Sequence, residues 1–478
     1  MNENKAQPSV RDWIAIILFM LMGTLAGSTQ AMYLGIFLDN TVFENGSKGA
    51  SLTLTDTVNL IVSLGVIVLC IAGFIMGTLS EKVKNRKVFI SGGYIIWGII
   101  MLVFSVVSTE NTEKLFGISE ISKSITLTAM MVIALALVTA FLRSTTNDTV
   151  FNAWLTEIST PKISAMIEIL FTLMGFVSTA IITLLIASVG GRIDMTFGTR
   201  DVVFHITYSS VFIVLGLIAI VIGVLGFFLI KNREPIEKTE KKKTNEKVNV
   251  FYGLKPSVIK ENSNLYLMLM SACLFNCAYQ VFYPYFFIYI TSVIIPENEN
   301  FEMPVFILLT LMSVSFGFML VLVLMKAYSK HKALSFVPSV IALIIGLLIL
   351  STSTNIFTFV IGLAPGFIGY VIIMIQFGAT VRDNVPKDKV GLFQGVRMIL
   401  LFLIPQIVGP TVGNIAAQKS NVTFMDNYAE KLLPTKDMFI YAAIFAALIF
   451  VPMIPFLIKD SKRARKEKTE TTEKTEEI

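Results

Sequence analysis

The stretch KNREPIEKTEKKKTNEKVNVFYGLKPSVIK, Lys231 to Lys260, decides how the chain is read, because it is the one long basic interval between two sets of six apolar runs. Each run is long enough to cross a bilayer core of about 30 Å, which takes roughly 20 helical residues. Hydrophobic residues make up 54% of the 478 and charged ones 15%, and the mean hydropathy is +0.74. Lipid rather than water is therefore the solvent for this fold. In lipid every backbone N–H and C=O must be paired within the protein, and continuous runs such as Val211 to Ile230 lack the alternation of barrel strands. The sequence predicts an all-α polytopic membrane protein with twelve transmembrane helices in two pseudo-symmetric six-helix halves.

The expected helices run Trp13 to Leu38, Thr55 to Ser80, Val88 to Val107, Ala129 to Ile158, Ile163 to Gly190 and Val203 to Ile230. A second set runs Asn264 to Val293, Pro304 to Ala327, Ala333 to Ser351, Ile356 to Arg382, Gly391 to Ala417 and Met438 to Ile458. The chain divides accordingly into a first half over 1–230, a basic linker over 231–262, a second half over 263–458 and a charged tail over 459–478. The first run is too long for a signal-peptide core and reads as a retained helix.

Lys and Arg beside membrane helices stay on the cytoplasmic side. The linker, with Lys231, Arg233, Lys238 and Lys241 to Lys243, and the tail, with Lys462, Arg463, Arg465, Lys466 and Lys468, belong on that side together, as an even helix count requires. Both termini are thus expected in the cytoplasm and the chain in the plasma membrane. The net charge of +6 is mostly topological, and nucleic-acid binding would need a folded basic face or stacking aromatics. Cys70, Cys273 and Cys277 fall inside apolar runs without His or carboxylate neighbours, so packing is expected and no metal site. Nothing demands an oligomer, and a monomer is expected.

The halves repeat. Trp154 to Ile182 and Ala379 to Ile407 align at an offset that sets Pro161-Lys162 over Pro386-Lys387. Repeats related by an axis along the membrane normal place a substrate site near the midplane, between the halves.

Between the second and third helices, Gly77-Thr78-Leu79-Ser80-Glu81-Lys82-Val83-Lys84-Asn85-Arg86-Lys87 resembles the Gly-x-Leu-Ala-Asp-Arg-x-Gly-Arg-Arg/Lys signature of the major facilitator superfamily. The resemblance implies that Glu81 meets a helix of the other half. It also implies that Arg86 and Lys87 pair with an acidic residue at the end of helix four, for which Glu157 is the candidate. Lys84 stands where the signature has its second Gly, and Asn85 where it has an Arg.

In helix four, Asn147-Asp148-Thr149-Val150-Phe151-Asn152-Ala153-Trp154-Leu155 resembles the Asn-Asp-x-x-Tyr/Phe-x-small-x-Leu stretch of cation-coupled glycoside symporters. The resemblance casts Asp148 as the coupling residue, with H+ or Na+ as the coupling ion and no other cofactor. An ionisable group at this depth is costly, so it should line a cavity and have a partner. Arg143 and Asn147 are the nearest on the same helix, and a purely structural Arg143–Asp148 bridge is the competing reading. Those symporters carry partner carboxylates on helix two, where this chain reads Val68-Leu69-Cys70-Ile71-Ala72.

Other polar groups at membrane depth are candidates for a substrate cavity: Gln30 and Tyr33 on helix one, Asn276, Tyr279, Gln280 and Tyr283 on helix seven, and Gln376 on helix ten. Amides and phenols suit a hydroxyl-bearing solute, and interhelical hydrogen bonds are the alternative use for each. Glu157, Glu168, Arg382, Asp383 and Arg397 could form a salt-bridge gate with the Gly77–Lys87 loop.

The function expected from these readings is secondary active transport of a small polar solute, as cation-coupled sugar or glycoside symport. The alternative is a proton-coupled drug or metabolite exporter, although helix five reads Leu173-Met174-Gly175-Phe176-Val177 without the Gly-Pro motif that such exporters carry. A membrane enzyme acting on lipid, or a transporter-like receptor, are the readings from other classes. His205 and His331 have no matched catalytic partner in the sequence, and no phosphate-binding Gly-Lys-Ser/Thr loop occurs, so no enzymatic activity is expected.

Overall fold

The structure is a computed structural model and describes residues 8–44, 46–83, 85–190, 192–197, 200–231, 250–294, 333–387, 389–420, 423–426 and 429–461. The expected eighth helix, Pro304 to Ala327, lies outside the described residues, as do His331 and most of the basic linker and tail. The fold is nearly all helical. Among the described residues nine helices are long and apolar enough to cross a membrane. Val88–Phe104 adds a tenth when taken with Thr109–Phe116, from which it is bent by 85°, and Phe336–Thr352 is a shorter apolar helix.

The chain forms two compact units. The first comprises Met1–Ser159, Ile169–Gly253 and Lys387–Gly395, and the second Thr160–Glu168, Leu254–Pro386 and Val396–Ile478. In the first unit, helix two (Leu54–Val83) packs on helix four (Ile121–Ile158) and helix three (Val88–Phe104) on helix six (Tyr208–Leu229). In the second, helix nine (Ala333–Thr352) packs on helix ten (Ile356–Asn384) and on helix twelve (Asp437–Ser461). Helix seven (Ser263–Tyr289) packs on helix eleven (Val390–Ala417).

Helix two shows the physics of the arrangement. Leu64, Ile67, Ile71 and Ile75 recur at helical spacing and are exposed, while Ile61, Gly65, Leu69 and Ala72 on the opposite face are buried. Large apolar side chains face outward because lipid is as apolar as they are. The inner face is left to smaller residues that let backbones approach. One such close approach joins helices three and six at Gly98 and Gly216: a Cβ on Gly98 would stand 2.5 Å from the Gly216 carbonyl oxygen and 2.7 Å from Ile220 Cγ1.

Several boundaries differ from the sequence expectation. Helix four begins at Ile121, not Ala129, because its early turns are held by the short helix Thr109–Phe116: Thr128 Oγ1 donates to Thr112 Oγ1 at 2.8 Å and Ser124 Oγ to the Thr109 carbonyl at 3.2 Å. Helix six begins at Tyr208, not Val203. Residues Arg200–His205 instead pair antiparallel with Arg192–Phe197, and Thr207 caps the helix by accepting from the Ser210 N–H. A second hairpin pairs Thr423–Asp426 with Ala429–Leu432. Both ladders are backbone hydrogen-bonded ribbons, the first of which takes in Val203–His205, expected to be helical, while the rest lie between the expected helices.

Among the described residues five helices contain or end in π-helical turns: Thr29–Tyr33 in helix one, Val88–Gly92 in helix three, Ser144–Phe151 in helix four, Ile290–Ile294 after helix seven and Ile399–Leu403 in helix eleven. Such turns are rare and cluster at functional sites.

Gly98→Ala is expected to lower the thermal unfolding midpoint of the detergent-solubilised protein, at a cost of about 1–3 kcal/mol from overpacking. Gly175→Ala, where nothing lies within 4 Å of the added Cβ, should be neutral or stabilising by up to about 1 kcal/mol. A Gly98→Ala midpoint equal to or above wild type would show that the two backbones have room to part.

Candidate functional site

The π-helical stretch of helix four is built from Ser144-Thr145-Thr146-Asn147-Asp148-Thr149-Val150-Phe151, and all eight residues are buried. Short polar side chains compete for backbone hydrogen bonds, and here Ser144 Oγ donates to the Leu69 carbonyl of helix two at 2.7 Å while Thr145 Oγ1 donates to the Phe141 carbonyl at 2.8 Å. The wide turn has a direct consequence. In a regular α-helix residues five apart point about 140° away from each other, whereas i to i+5 bonding brings them to one side. Arg143 and Asp148 accordingly face each other, Nε to Oδ2, at 3.6 Å.

That distance makes an ion pair but not a hydrogen bond. Arg143 Nε and Asp148 Oδ2 are both buried without a hydrogen-bond partner. The other carboxylate oxygen, Oδ1, accepts from Asn147 Nδ2 at 2.8 Å. Asn147 Oδ1 lies 3.3 Å from the Tyr94 hydroxyl of helix three. Helix one closes the site with glycines: Gly23 abuts the Asn147 amide, and a Cβ on Gly27 would stand 3.3 Å from the Arg143 guanidinium. One turn before Arg143, Thr139 Oγ1 is buried and unbonded. It lines a cavity of about 30 Å³ together with Thr29, Gln30 and Phe212, which is room for a water. Gln30 thus faces a small, mostly apolar cavity. Tyr33 is fully buried and donates to the Tyr208 carbonyl at 2.6 Å, a tie between helices one and six.

In the second unit, Tyr279 stacks on Tyr283 at 4.6 Å between ring centroids and meets Tyr370 of helix ten at 5.0 Å. Tyr283 is half exposed. Gln280 packs against Gly409, and Asn276 is half-buried on the same helix. Gln376 is 8% exposed, with neither amide atom hydrogen-bonded. A buried amide with four unused hydrogen-bonding positions is a group that a polar ligand or water would satisfy.

The loop between helices two and three carries a charge network. Arg86, 5% exposed, donates through Nη2 to Glu157 Oε1 at 2.7 Å and to Glu81 Oε2 at 2.8 Å, and through Nη1 to Ser80 Oγ. Burial disfavours the charge on its guanidinium, but Glu157 and Glu81 outweigh this and hold its pKa above the usual arginine value. Glu81 Oε2 also accepts from the Gly391 N–H at 2.7 Å. This sets a carboxylate at the N-terminus of the helix Val390–Met398, where the helix dipole favours it. Lys387 reciprocates by donating to the Thr156 carbonyl in the last turn of helix four. Gly77 is essential to this closeness, since a Cβ there would stand 2.5 Å from the Gly391 oxygen. Lys87 sits 5.9 Å from the Phe227 ring, and Lys82 is exposed.

Within the second unit, Arg382 bonds Glu168 through Nη2 and, at 3.2 Å, through Nε. Asp383 Oδ1 accepts from Ser164 Oγ at 2.6 Å. Arg397 is half-buried. Tyr94, Tyr370 and Lys387 were not singled out as site residues from sequence: a phenol in an apolar run reads as packing, and a loop lysine reads as topology.

The sequence matches the family model described as Major Facilitator Superfamily over residues 12–410. No curated protein is similar enough in sequence to count as a relative. Among solved structures, the proton:xylose symporter XylE is similar with a TM-score of 0.63 at 10% identity, over 94% of this chain and 95% of that one. The fucose:proton symporter FucP of E. coli gives 0.61 at 13% identity, over 94% and 98%. The human organic anion transporter TETRAN gives 0.59 at 12%, over 95% and 100%. Likenesses at such identities show the fold alone. With the family match covering most of its length, the chain is a multi-pass membrane protein that belongs to the major facilitator superfamily.

Proposed function

We propose that this protein takes up a small hydroxyl-bearing solute, a sugar or glycoside, together with a proton, by alternating access in the plasma membrane with both termini in the cytoplasm. Members of its superfamily are transporters, and the solved structures it resembles include two proton-coupled sugar symporters. The observation that carries the reading is the buried Arg143–Asp148 pair at 3.6 Å, with an oxygen and a nitrogen left unbonded.

A charge pair held apart inside a membrane protein is poised to change. While Asp148 is ionised, the two charges offset each other. When it takes a proton, Arg143 retains an uncompensated charge in a low-dielectric site, and helices one and four must repack or the solute must supply an acceptor. Sodium fits less well, because a second cation at Asp148 would face the guanidinium at close range, and helix two offers no carboxylate at that depth. Among the described residues no group of three His, Cys, Asp or Glu side chains is suited to a metal ion. For the solute, the tyrosines at 279, 283 and 370 offer ring faces, and Gln376 offers an unbonded amide. The loop network around Arg86 and the Arg382–Glu168 pair are the proposed gate, with two six-helix halves as the moving parts.

In proteoliposomes tested with a panel of sugars and glycosides, an inward proton gradient should drive accumulation and a protonophore should abolish it. Asp148→Asn should lose gradient-driven accumulation and keep solute counterflow. Accumulation that follows a Na+ gradient and ignores pH would overturn proton coupling, and full accumulation by Asp148→Asn would make the pair structural.

Arg86→Glu places a third acidic group beside Glu81 and Glu157. It should change the ratio of inside to outside labelling at single cysteines engineered along helices one and seven. Unchanged labelling would remove this network from the gate.

A further inference from the structure

Tyr94 is fully buried on helix three, and its position is tightly set. The preceding residue, Gly93, lies against Thr146 so closely that a Cβ could not fit. The Tyr94 ring meets Phe19 edge-on at 4.9 Å and Trp97 at 5.5 Å. The ring is therefore pinned, and its hydroxyl has two acceptors within reach: the Phe19 carbonyl of helix one at 3.0 Å and Asn147 Oδ1 of helix four at 3.3 Å.

A phenol has one proton to donate. Given to Asn147 Oδ1, it polarises the amide whose Nδ2–H bonds Asp148 Oδ1 at 2.8 Å, and chained hydrogen bonds strengthen one another. A hydrogen bond to the ionised form of a carboxyl favours that form. Given to Phe19, the proton leaves Asn147 unsupported. The division depends on where helix one lies against helix four, a contact made by Gly23 directly on the Asn147 amide.

Among the described residues, the ionisable groups bearing on Asp148 are Arg143 of its own helix and Tyr94 of helix three. Helix one meets the segment with Gly23 and Gly27. Helix two meets it through the Leu69 carbonyl and through Gly77 against Thr149.

We propose that Tyr94 is a positioning residue for Asp148: its hydroxyl, shared between the Phe19 carbonyl and the Asn147 amide, makes the proton affinity of the carboxyl depend on the position of helix one. This rests on the reading that Asp148 carries the coupling proton. It adds to that reading a link by which helix movement loads or releases the proton, through a group that itself keeps its own proton throughout.

The test is a pH titration of the purified full-length protein by difference infrared spectroscopy, following the carbonyl stretch of a protonated carboxyl that is present in wild type and missing in Asp148→Asn. Tyr94→Phe keeps the ring and removes the hydroxyl, so the midpoint of that band should move to higher pH by about half a unit or more, the scale of one hydrogen bond. Asn147→Ala should raise it at least as far, and adding Tyr94→Phe to Asn147→Ala should give no further shift, because the relay is already cut. A Tyr94→Phe midpoint equal to wild type overturns the relay and leaves the coupling role of Asp148 standing. An undiminished shift from Tyr94→Phe in the Asn147→Ala background also overturns it, since Tyr94 would then act without the amide. A carboxyl band that survives in Asp148→Asn, with none lost, overturns the titration of Asp148 and the relay with it.

Discussion

Everything in this molecule depends on a solvent that cannot hydrogen-bond. In hydrocarbon the backbone closes its bonds within each helix, and apolar side chains gain nothing by turning inward. The inner faces of the spans are therefore free for small and polar residues. Helix two puts Leu64, Ile67, Ile71 and Ile75 outside and Gly65, Leu69 and Ala72 inside, and helix four can devote six successive buried residues, Ser144 to Thr149, to hydroxyls, an amide and a carboxylate. The same solvent makes a lone buried charge expensive, which is why Asp148 and Arg143 occur together.

The two kinds of charged site differ in how completely they are satisfied. Arg86 is bonded to Glu81, Glu157 and Ser80 at once, and Glu81 additionally receives a helix N-terminal N–H from Gly391. Its charge is fully met, as suits a fastening. The Arg143–Asp148 pair is incomplete: the ions stand beyond hydrogen-bonding distance, and Arg143 Nε and Asp148 Oδ2 have no partner. Incomplete satisfaction in a buried site is where a proton, a water or a solute has something to gain by binding. The reading of the pair as the coupling site rests on this contrast.

Glycine does much of the positioning. Gly23 and Gly27 let helix one touch the Asn147 amide and the Arg143 guanidinium, and Gly77 lets helix two touch the backbone at Gly391. At Gly77 a single methyl group would collide with backbone, at Gly23 it would collide with the Asn147 amide, and at Gly27 it would press on the Arg143 guanidinium. Charged groups can therefore work across interfaces only as wide as a glycine permits, and small helix displacements are felt directly by the polar groups they touch.

By itself the sequence determined the helical membrane fold, most span positions and the family, because long apolar runs in lipid have one solution and the Gly77–Lys87 loop carries a recognisable pattern. It also brought Arg143, Asn147 and Asp148 into view, since a polar residue among apolar ones is conspicuous. Helix four's early turns and the start of helix six escaped it, because they are fixed by hydrogen bonds to a neighbouring helix and by a hairpin ladder rather than by local hydropathy. Only the tertiary structure decided that Arg143 meets Asp148. In a regular α-helix those two residues diverge, and the π-helical turns, stabilised by bonds such as Ser144 to the Leu69 carbonyl, turn them to one face. Tyr94, distant in sequence and ordinary in its apolar run, joins them for the same reason: which polar group a phenol reaches is settled by how closely two helices pack.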